Sequence, residues 1–361
     1  MCAHVVLITL GYAASSEKGI VGTFVSVVLD DPGMLLAAAG TLCLVMVVAT
    51  SIQKARRKLR YESWHLIHLY AYLGAGLALP HQLWTGKEFQ SNPWLTAVWW
   101  AAWGATAGAV LVFRVGLPLY RSLRHDLRVE SVRRLDERST VVTVTGRDLH
   151  RLRVRAGQFF TFRFLDRATA GEGWTRGHPY SLSAAPDGHR LEITVVGDGD
   201  GARRVAALQP GTRTLVEGPY GRLHDGVRGR DKVLLLGAGS GIAPLKALLE
   251  GLPARPGDLE LVYRARSASE TVHLDRIHEV ARARGAGVHL VTGGRNRERA
   301  SWAPAAAAHL DDATALLHVV PDVAQREVYL CGPAEWVDAA TRAVRDAGVP
   351  ARHVHAEKFS W

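Results

Sequence analysis

Long apolar runs fill the first third of the chain, and short alternating or mixed patterns fill the rest. The runs lie at 3–13, 20–29, 34–50, 64–84 and 94–113. A membrane-spanning helix needs about 20 mostly apolar residues. The runs 34–50, 64–84 and 94–113 meet or approach that length and predict three spans, and 3–13 predicts part of a fourth. From about residue 127 the period drops to two. Arg128-Val129-Glu130-Ser131-Val132, Thr140-Val141-Val142-Thr143-Val144 and Gly157-Gln158-Phe159-Phe160-Thr161-Phe162 predict strands of an antiparallel β-barrel. From 231 a third pattern begins. Val233-Leu234-Leu235-Leu236 is a continuous apolar run, as a buried parallel strand requires. A glycine-rich turn and a helix to Leu252 follow it. Strands at 259–263, 288–292 and 328–330 then alternate with helices at 270–283, 302–309 and 334–346. The reading is a multi-domain chain: a partial transmembrane α-helical bundle over 1–120, an antiparallel β-barrel domain over 121–228 and an α/β parallel-sheet domain over 229–361.

Composition sharpens this division. Hydrophobic residues make up 48% of the 361, an ordinary average over an apolar first third and a charged remainder. The net charge of +10 does not require nucleic acid, because Lys54, Arg56, Arg57, Lys58 and Arg60 sit between two apolar runs as a basic loop does at a membrane. Positive residues stay inside, which places the charged C-terminal part in the cytoplasm of a plasma-membrane protein. Three cysteines, Cys2, Cys43 and Cys331, are too few for the four thiolates of an iron–sulfur cluster, so no iron–sulfur domain is expected on this chain. Residues 1–12 lack a basic leader and a cleavage site, and look like a membrane helix whose beginning is missing.

Four histidines interrupt the apolar segments: His4, His65, His68 and His81. An imidazole at membrane depth is costly and marks function. Haem iron is the ligand such residues suit, since axial imidazoles on facing helices hold it. His68 and His81 stand about 20 Å apart along a helix, a sensible separation for two haems stacked across one membrane, although about 140° apart around it. Pro80 can kink the helix and change that angle. His65, one turn before His68, competes with it, and spacing does not choose between them.

In the charged part, His178-Pro179-Tyr180-Ser181-Leu182-Ser183-Ala184-Ala185-Pro186 pairs a tyrosine that can lie flat on a ring with hydroxyls that can bond ring or phosphate oxygens. Gly197-Asp198-Gly199-Asp200-Gly201 offers backbone N–H groups where a helix over 202–208 would start, which suits a pyrophosphate as well as it suits a simple turn. Gly237-Ala238-Gly239-Ser240-Gly241-Ile242-Ala243-Pro244 lies between a strand and a helix, where small residues admit the phosphates of a dinucleotide. Later strands end in Arg264-Ala265-Arg266-Ser267, Gly293-Gly294-Arg295 and Cys331-Gly332-Pro333, at the carboxyl edge where ligands of such sheets bind. Arg264, Arg266, Arg295 and Arg297 could pair with a 2′-phosphate, which favours NADPH slightly over NADH.

This ordered set resembles the ferredoxin–NADP reductase superfamily, in the branch fused to a ferric-reductase-like transmembrane domain that includes ferric reductases and NADPH oxidases. The resemblance runs from residue 4 to Glu357-Lys358-Phe359-Ser360-Trp361. It implies that Tyr180 and Ser181 contact the FAD ring and ribityl chain, that 237–241 takes the NAD(P)H phosphates, that Cys331 lies near the nicotinamide, and that Trp361 stacks on the flavin and swings aside for hydride transfer. His178 stands where many flavin reductases carry an arginine for the pyrophosphate, a role Arg203 or Arg204 could share. In the membrane part, the resemblance implies six spans with two histidines on the third and two on the fifth. His4 matches the second of the first pair, and His68 and His81 match the other. His4 would then face His81 across haem b, and His68 would lack its partner in an N-terminally truncated domain.

The expected activity is therefore membrane flavohaem electron transfer from NAD(P)H through FAD and haem to a small-molecule acceptor across the membrane, ferric iron or dioxygen. Catalytic contacts are expected from Tyr180, Ser181, Cys331 and Trp361. Cofactor contacts are expected from His178, Pro179, Tyr180, Ser181, Leu182, Ser183, Gly197, Gly199, Gly237, Gly239, Ser240, Gly241, Arg264, Arg266, Cys331, Gly332 and Trp361. Metal contacts are expected from His4, His68 and His81. Two alternatives remain: a haem-free, membrane-anchored reductase serving a cytoplasmic acceptor protein, and a non-catalytic haem-binding subunit, against which the intact motif set argues.

Overall fold

The structure is a computed structural model that describes residues 2–52, 61–85, 91–166, 177–296 and 299–359. The basic loop at 53–60, Arg297 and Trp361 lie outside the described residues, as does the side chain of His65. The chain divides into two compact units, Met1–Leu111 and Val112–Trp361.

Among the described residues the first unit holds the helices α1 (Cys2–Ala13), α2 (Gly19–Asp30), α3 (Met34–Ser51), α4 (Tyr61–Leu77), α5 (Leu79–Trp84) and α6 (Pro93–Val110). Among the described residues, two helical stretches are long and apolar enough to cross a membrane, Met34–Ser51 and Pro93–His125. The run 64–84, expected as a third span, is divided between α4 and α5. Pro80 sits in the first turn of α5, where its missing N–H ends the preceding ladder. Helix α6 starts cleanly, with Asn92 Oδ1 accepting from the amides of Trp94 (3.1 Å) and Leu95 (3.2 Å) ahead of Pro93. Helices α3 and α4 meet at two glycines. A Cβ on Gly40 would lie 2.6 Å from Gly74 O, and one on Gly74 2.8 Å from Gly40 O, the close backbone approach that small residues permit between membrane helices. Apart from such contacts the helices are exposed apolar cylinders, and α6 buries no residue.

Helix α7 (Leu117–His125) opens the folded part of the second unit. It docks on the strand Thr214–Tyr220 through Ser122, whose hydroxyl accepts from Val216 N at 3.0 Å, and through Arg121, which donates to Gly218 O at 2.6 Å. Residues 112–120, expected with the membrane part, therefore belong to this unit.

Strands β1 (Arg128–Arg134), β2 (Ser139–Thr145), β3 (Phe159–Phe164), β4 (His178–Ser181), β5 (Arg190–Val196) and β6 (Thr214–Tyr220) follow the predicted alternation. They form two three-stranded antiparallel sheets, β1-β2-β5 and β4-β3-β6. The expected continuous barrel is not formed. At its two seams the contacts are isolated bridges, Arg128 with Arg213 and Leu182 with Ile193, with a few backbone hydrogen bonds beside them, such as Thr214 N to Leu127 O at 2.9 Å and Ser183 N to Glu192 O at 2.8 Å. The inward positions Val142, Val144, Phe160, Phe162, Leu191 and Ile193 still share one core.

The last part is a five-stranded parallel sheet in the order β11-β10-β7-β8-β9. Its elements are β7 (Val233–Ala238), α9 (Ile242–Gly251), β8 (Leu259–Ala265), α10 (Leu274–Arg284), β9 (Gly287–Thr292), α11 (Asp312–Val319), β10 (Glu327–Pro333), α12 (Ala334–Asp346) and β11 (Val354–Phe359). A short α8 (Asp200–Ala206) follows β5. The chain leaves β7 toward β8 but returns to β10 on its other side, so the carboxyl ends of β7 and β10 flank a topological switch point. The helix expected at 302–309 is instead α11. Pro304 and a buried Trp302 occupy the earlier stretch, and Asp311 caps α11 by accepting from Thr314 N at 2.8 Å. The C-terminal segment, for which no strand was expected, is the fifth strand, hydrogen-bonded to β10 from Val354 to Phe359.

Candidate functional site

The antiparallel sheets and the parallel sheet meet at a cavity of about 320 Å³. Its walls come from all three motif regions. Strand β3 supplies Phe159, and β4 supplies Pro179, Tyr180 and Ser181. Strand β5 supplies Thr194 and Val196, the turn after β7 supplies Ser240 and Ala243, and β11 supplies Glu357 and Phe359. On β5, Ile193 points into the sheet core while Thr194 and Val196 face the slot, and Val195, which also packs in that core, reaches the slot's edge. Burial pushes the Tyr180 phenol up to about 12, so it stays neutral through the physiological range. Burial also pushes the Glu357 carboxyl up, although Oε1 accepts from Arg222 N at 3.2 Å.

The glycine-rich turn is shaped by space more than by conformation. Gly241 has an ordinary helical φ of −62°, yet a Cβ there would overlap the Cys331 carbonyl and come within 2.6 Å of Gly332 N. Gly332 is itself tight, with Trp336 3.0 Å from a built Cβ, and Gly237 would meet Leu245 at 2.6 Å. Gly239 has φ +55° and nothing within 4 Å, so the backbone there is left-handed and open to a ligand. Gly199 and Gly201 are likewise open, and Gly197, at φ +145°, has its nearest contact at 3.9 Å. These openings, with the aromatic and hydroxyl groups of the slot, fit a dinucleotide flavin and a nicotinamide dinucleotide. Arg203 is held by Asp200 at 2.5 Å.

Several expected site residues lie elsewhere. Leu182 is fully buried in the core of the antiparallel sheets, and Ser183 is buried with its hydroxyl donating to Glu192 at 3.0 Å. His178 begins β4 opposite Phe162, with its ring 6.3 Å from Tyr180. Cys331 is completely buried beneath Gly241, and burial together with Glu357 holds its thiol well above the ordinary range, so it stands behind the slot as a neutral thiol. Arg264 is turned inward. Its guanidinium donates to Gly293 O at 2.7 Å, to Gly294 O at 3.1 Å and to Ala265 O, and so orders the loop after β9. Arg266 and Arg295 remain exposed at the carboxyl edge. Phe159, Thr194, Glu357 and Phe359 line the slot without having been singled out as site residues; their motifs were visible, but their direction was not.

His273 Nε2 bonds Thr194 Oγ1 at 2.8 Å, and burial, then the Lys246 ammonium, pushes the imidazole down to about 4. Glu192, Arg133 and Asp136 also face it. The unfolded chain takes up this proton below about 6.5 and the folded chain does not. Stability is therefore complete above that pH and falls by about 3 kcal/mol as pH drops to 4. Chemical unfolding of His273→Gln at pH 7 and pH 4.5 should show a flatter pH dependence than the parent chain.

In the first unit, His81 Nδ1 is buried and makes no short hydrogen bond, and the Ala78 backbone and His4 are among the groups that act on its ring. His68 is already engaged at both ring nitrogens, Nε2 with Ser51 Oγ and Nδ1 with Trp64 O, each at 3.0 Å. Ligation by His68 would require giving up one of these bonds. No cluster of three or more metal-ligating side chains occurs among the described residues.

Residues 1–79 match the family described as ferric reductase like transmembrane component. The ferredoxin reductase component of the 3-ketosteroid-9-alpha-monooxygenase of Mycolicibacterium smegmatis is 32% identical over 62% of this chain and 62% of its own length. The glycine betaine monooxygenase reductase subunit of Chromohalobacter salexigens is 29% identical over 57% of this chain and 56% of its own. The chain thus spans about three-fifths of the length of the curated relatives it matches. The crystal structure of an Amycolatopsis cytochrome P450 reductase superposes with a TM-score of 0.51 at 24% identity, covering 65% of this chain and 69% of that one. A ferredoxin NADP+ reductase from Neisseria gonorrhoeae with bound FAD and NADP gives 0.50 at 19% identity, covering 64% and 97%. The paired antiparallel sheets and the parallel sheet therefore have the fold of the ferredoxin reductases, preceded by a segment similar to a ferric reductase-like membrane component.

Proposed function

We propose that this chain is a membrane-bound oxidoreductase that oxidises NAD(P)H at an FAD site and delivers the electrons to a one-electron acceptor. The observation that carries this reading is the slot itself, where Tyr180 and Ser181 on one wall face Ser240 and Ala243 on the other, with Phe359 beside them. Bound FAD supplies two-electron acceptance from a hydride donor and one-electron release. Tyr180 offers a neutral ring to stack against and Ser181 a hydroxyl, while the turn at 237–241 seats the dinucleotide phosphates. Close walls keep water from the reacting atoms. With Arg264 committed to backbone carbonyls, contact with a 2′-phosphate falls to Arg266 and Arg295. The names of the relatives, ferredoxin reductase components of monooxygenase systems, support electron exchange between a nicotinamide and an acceptor.

The membrane part would carry electrons onward through haem b held by His4 and His81, toward ferric iron or dioxygen on the far side; the buried His81 ring, with His4 among its electrostatic neighbours, supports it. A second reading, a haem-free membrane-anchored reductase serving an acceptor protein, is favoured by the engagement of His68 with Ser51. Absorption spectra of the detergent-solubilised chain before and after anaerobic NADPH separate them. Flavin bands that bleach together with a shifting Soret band, the latter lost in His81→Ala, are expected for the relay. Bleaching without a Soret band leaves the anchored reductase, and no bleaching with either NADPH or NADH refutes both.

A further inference from the structure

Lys246 is a charged side chain that the reading above does not use. It lies on α9 and is only 3% exposed. Its ammonium donates to Ser183 O at 2.6 Å and pairs with Glu250 at 3.0 Å and Glu192 at 3.5 Å. Glu250 in turn accepts from Ala185 N at 2.9 Å, and Glu192 accepts from the Ser183 hydroxyl. These contacts join helix α9 of the nucleotide half to the end of strand β4 and to β5 of the flavin half. They line a separate polar cleft of about 830 Å³.

Both anchor points adjoin the slot. Ala243, which lines the slot, precedes Lys246 by one helical turn, and Ser181, which also lines it, precedes Ser183 by two residues on the same extended segment. At the far end of α9, a Cβ on Gly251 would stand 3.0 Å from Ala156 Cβ and 3.1 Å from Ala185 Cβ, so the helix is pressed against the flavin half at a second point. A buried ion network is weak evidence for stability, since well-packed apolar residues often replace it without loss. What it does define is distance: a short bond from Nζ to one carbonyl leaves little freedom to the walls it joins.

We propose that Lys246 is a positioning residue, a strut that sets the separation between the nicotinamide-side turn and the flavin-side strand and hence the donor–acceptor distance for hydride transfer. This rests on the proposed function. Hydride transfer is steep in distance, and a displacement of about 1 Å costs on the order of 100-fold in rate.

The test uses the full-length, detergent-solubilised chain loaded with FAD, with Lys246→Met and Lys246→Arg beside the parent. Flavin bleaching by NAD(P)H is followed anaerobically across nucleotide concentrations, and amide hydrogen exchange is followed without nucleotide. In Lys246→Met the limiting rate should fall about 100-fold, with half-saturation changed less than about threefold and FAD content unchanged. Exchange over 183–186 should quicken, and Lys246→Arg should recover most of the rate. Should Lys246→Met fail to fold because Glu250 is left uncompensated, Lys246→Met/Glu250→Gln removes that charge and is read in its place. An unchanged limiting rate in a folded, FAD-loaded variant overturns the strut, as does a loss that only tracks lost FAD. A parent chain whose flavin NAD(P)H does not bleach overturns the functional reading and the strut with it.

Discussion

Gly241→Ala should lose NAD(P)H oxidation by about 100-fold or more while the chain still folds and binds FAD. The single added methyl has no exit. It would overlap the Cys331 carbonyl and approach Gly332 N at 2.6 Å, and both belong to the backbone of β10, paired on both sides within the parallel sheet. The sheet cannot yield, so the start of α9 must move away, carrying Ser240 and Ala243 out of the slot wall. The flavin-side wall at Tyr180 and Ser181 belongs to other strands and is untouched. The loss should therefore appear in nicotinamide-dependent bleaching and not in flavin content. The control is Gly257→Ala, in the turn before β8 and away from the slot, where a Cβ meets nothing within 4 Å and only the left-handed φ of +87° opposes the side chain. It should cost about 1 kcal/mol of stability and far less activity. Equal losses in both variants would mean that the close packing against β10 does not matter.

The second large effect is expected from Glu327→Ala. This carboxylate is fully buried at the start of β10 and holds three donors, Gly229 N at 3.1 Å, His353 Nδ1 at 2.9 Å and His355 Nε2 at 2.5 Å. Burial pushes its carboxyl up, but the bonds from His355, Gly229 and His353 outweigh that and leave it below the usual range. Removing it takes the shared acceptor from two half-buried imidazoles and the Gly229 amide, and should destabilise the fold by about 2–3 kcal/mol at pH 7. The contribution of a carboxyl with a lowered pKa is complete above its unfolded pKa, about 4.5. It is lost as pH falls through the lower folded value, so the gap between parent and variant should narrow in acid. The effect should reach the slot, because His353 and His355 secure the start of β11 and the same strand ends in Glu357 and Phe359. Urea midpoints at pH 7 and pH 4, with FAD retention at each, measure both parts. A variant as stable as the parent at pH 7 would show that the three donors find other partners.

Much of this molecule is legible in its residue order, for reasons that are local. Period-two alternation at 128–132 and 140–144, the apolar run 233–236 and the glycines after it are short-range patterns, and each became the strand or turn its period requires. Tyr180, Ser181 and Ser240 reach the slot because β4 and the turn after β7 end at it. The apolar runs at 34–50 and 94–113 likewise formed continuous helices, whereas Pro80 divided the run between them. What the tertiary structure decided is which way side chains turn and which distant groups they meet. Arg264 turned inward onto the carbonyls of Gly293 and Gly294, not outward to a phosphate. His68 took Ser51 as its partner, Leu182 and Ser183 went into the core, and the segment 354–359 joined the sheet to bring Glu357 and Phe359 to the slot. Lys246 and Ser183 are 63 positions apart, and Glu327 and Gly229 are 98. A residue's period tells which face of its own strand or helix it occupies, but the partner on that face is supplied by another element, and only packing brings the two together.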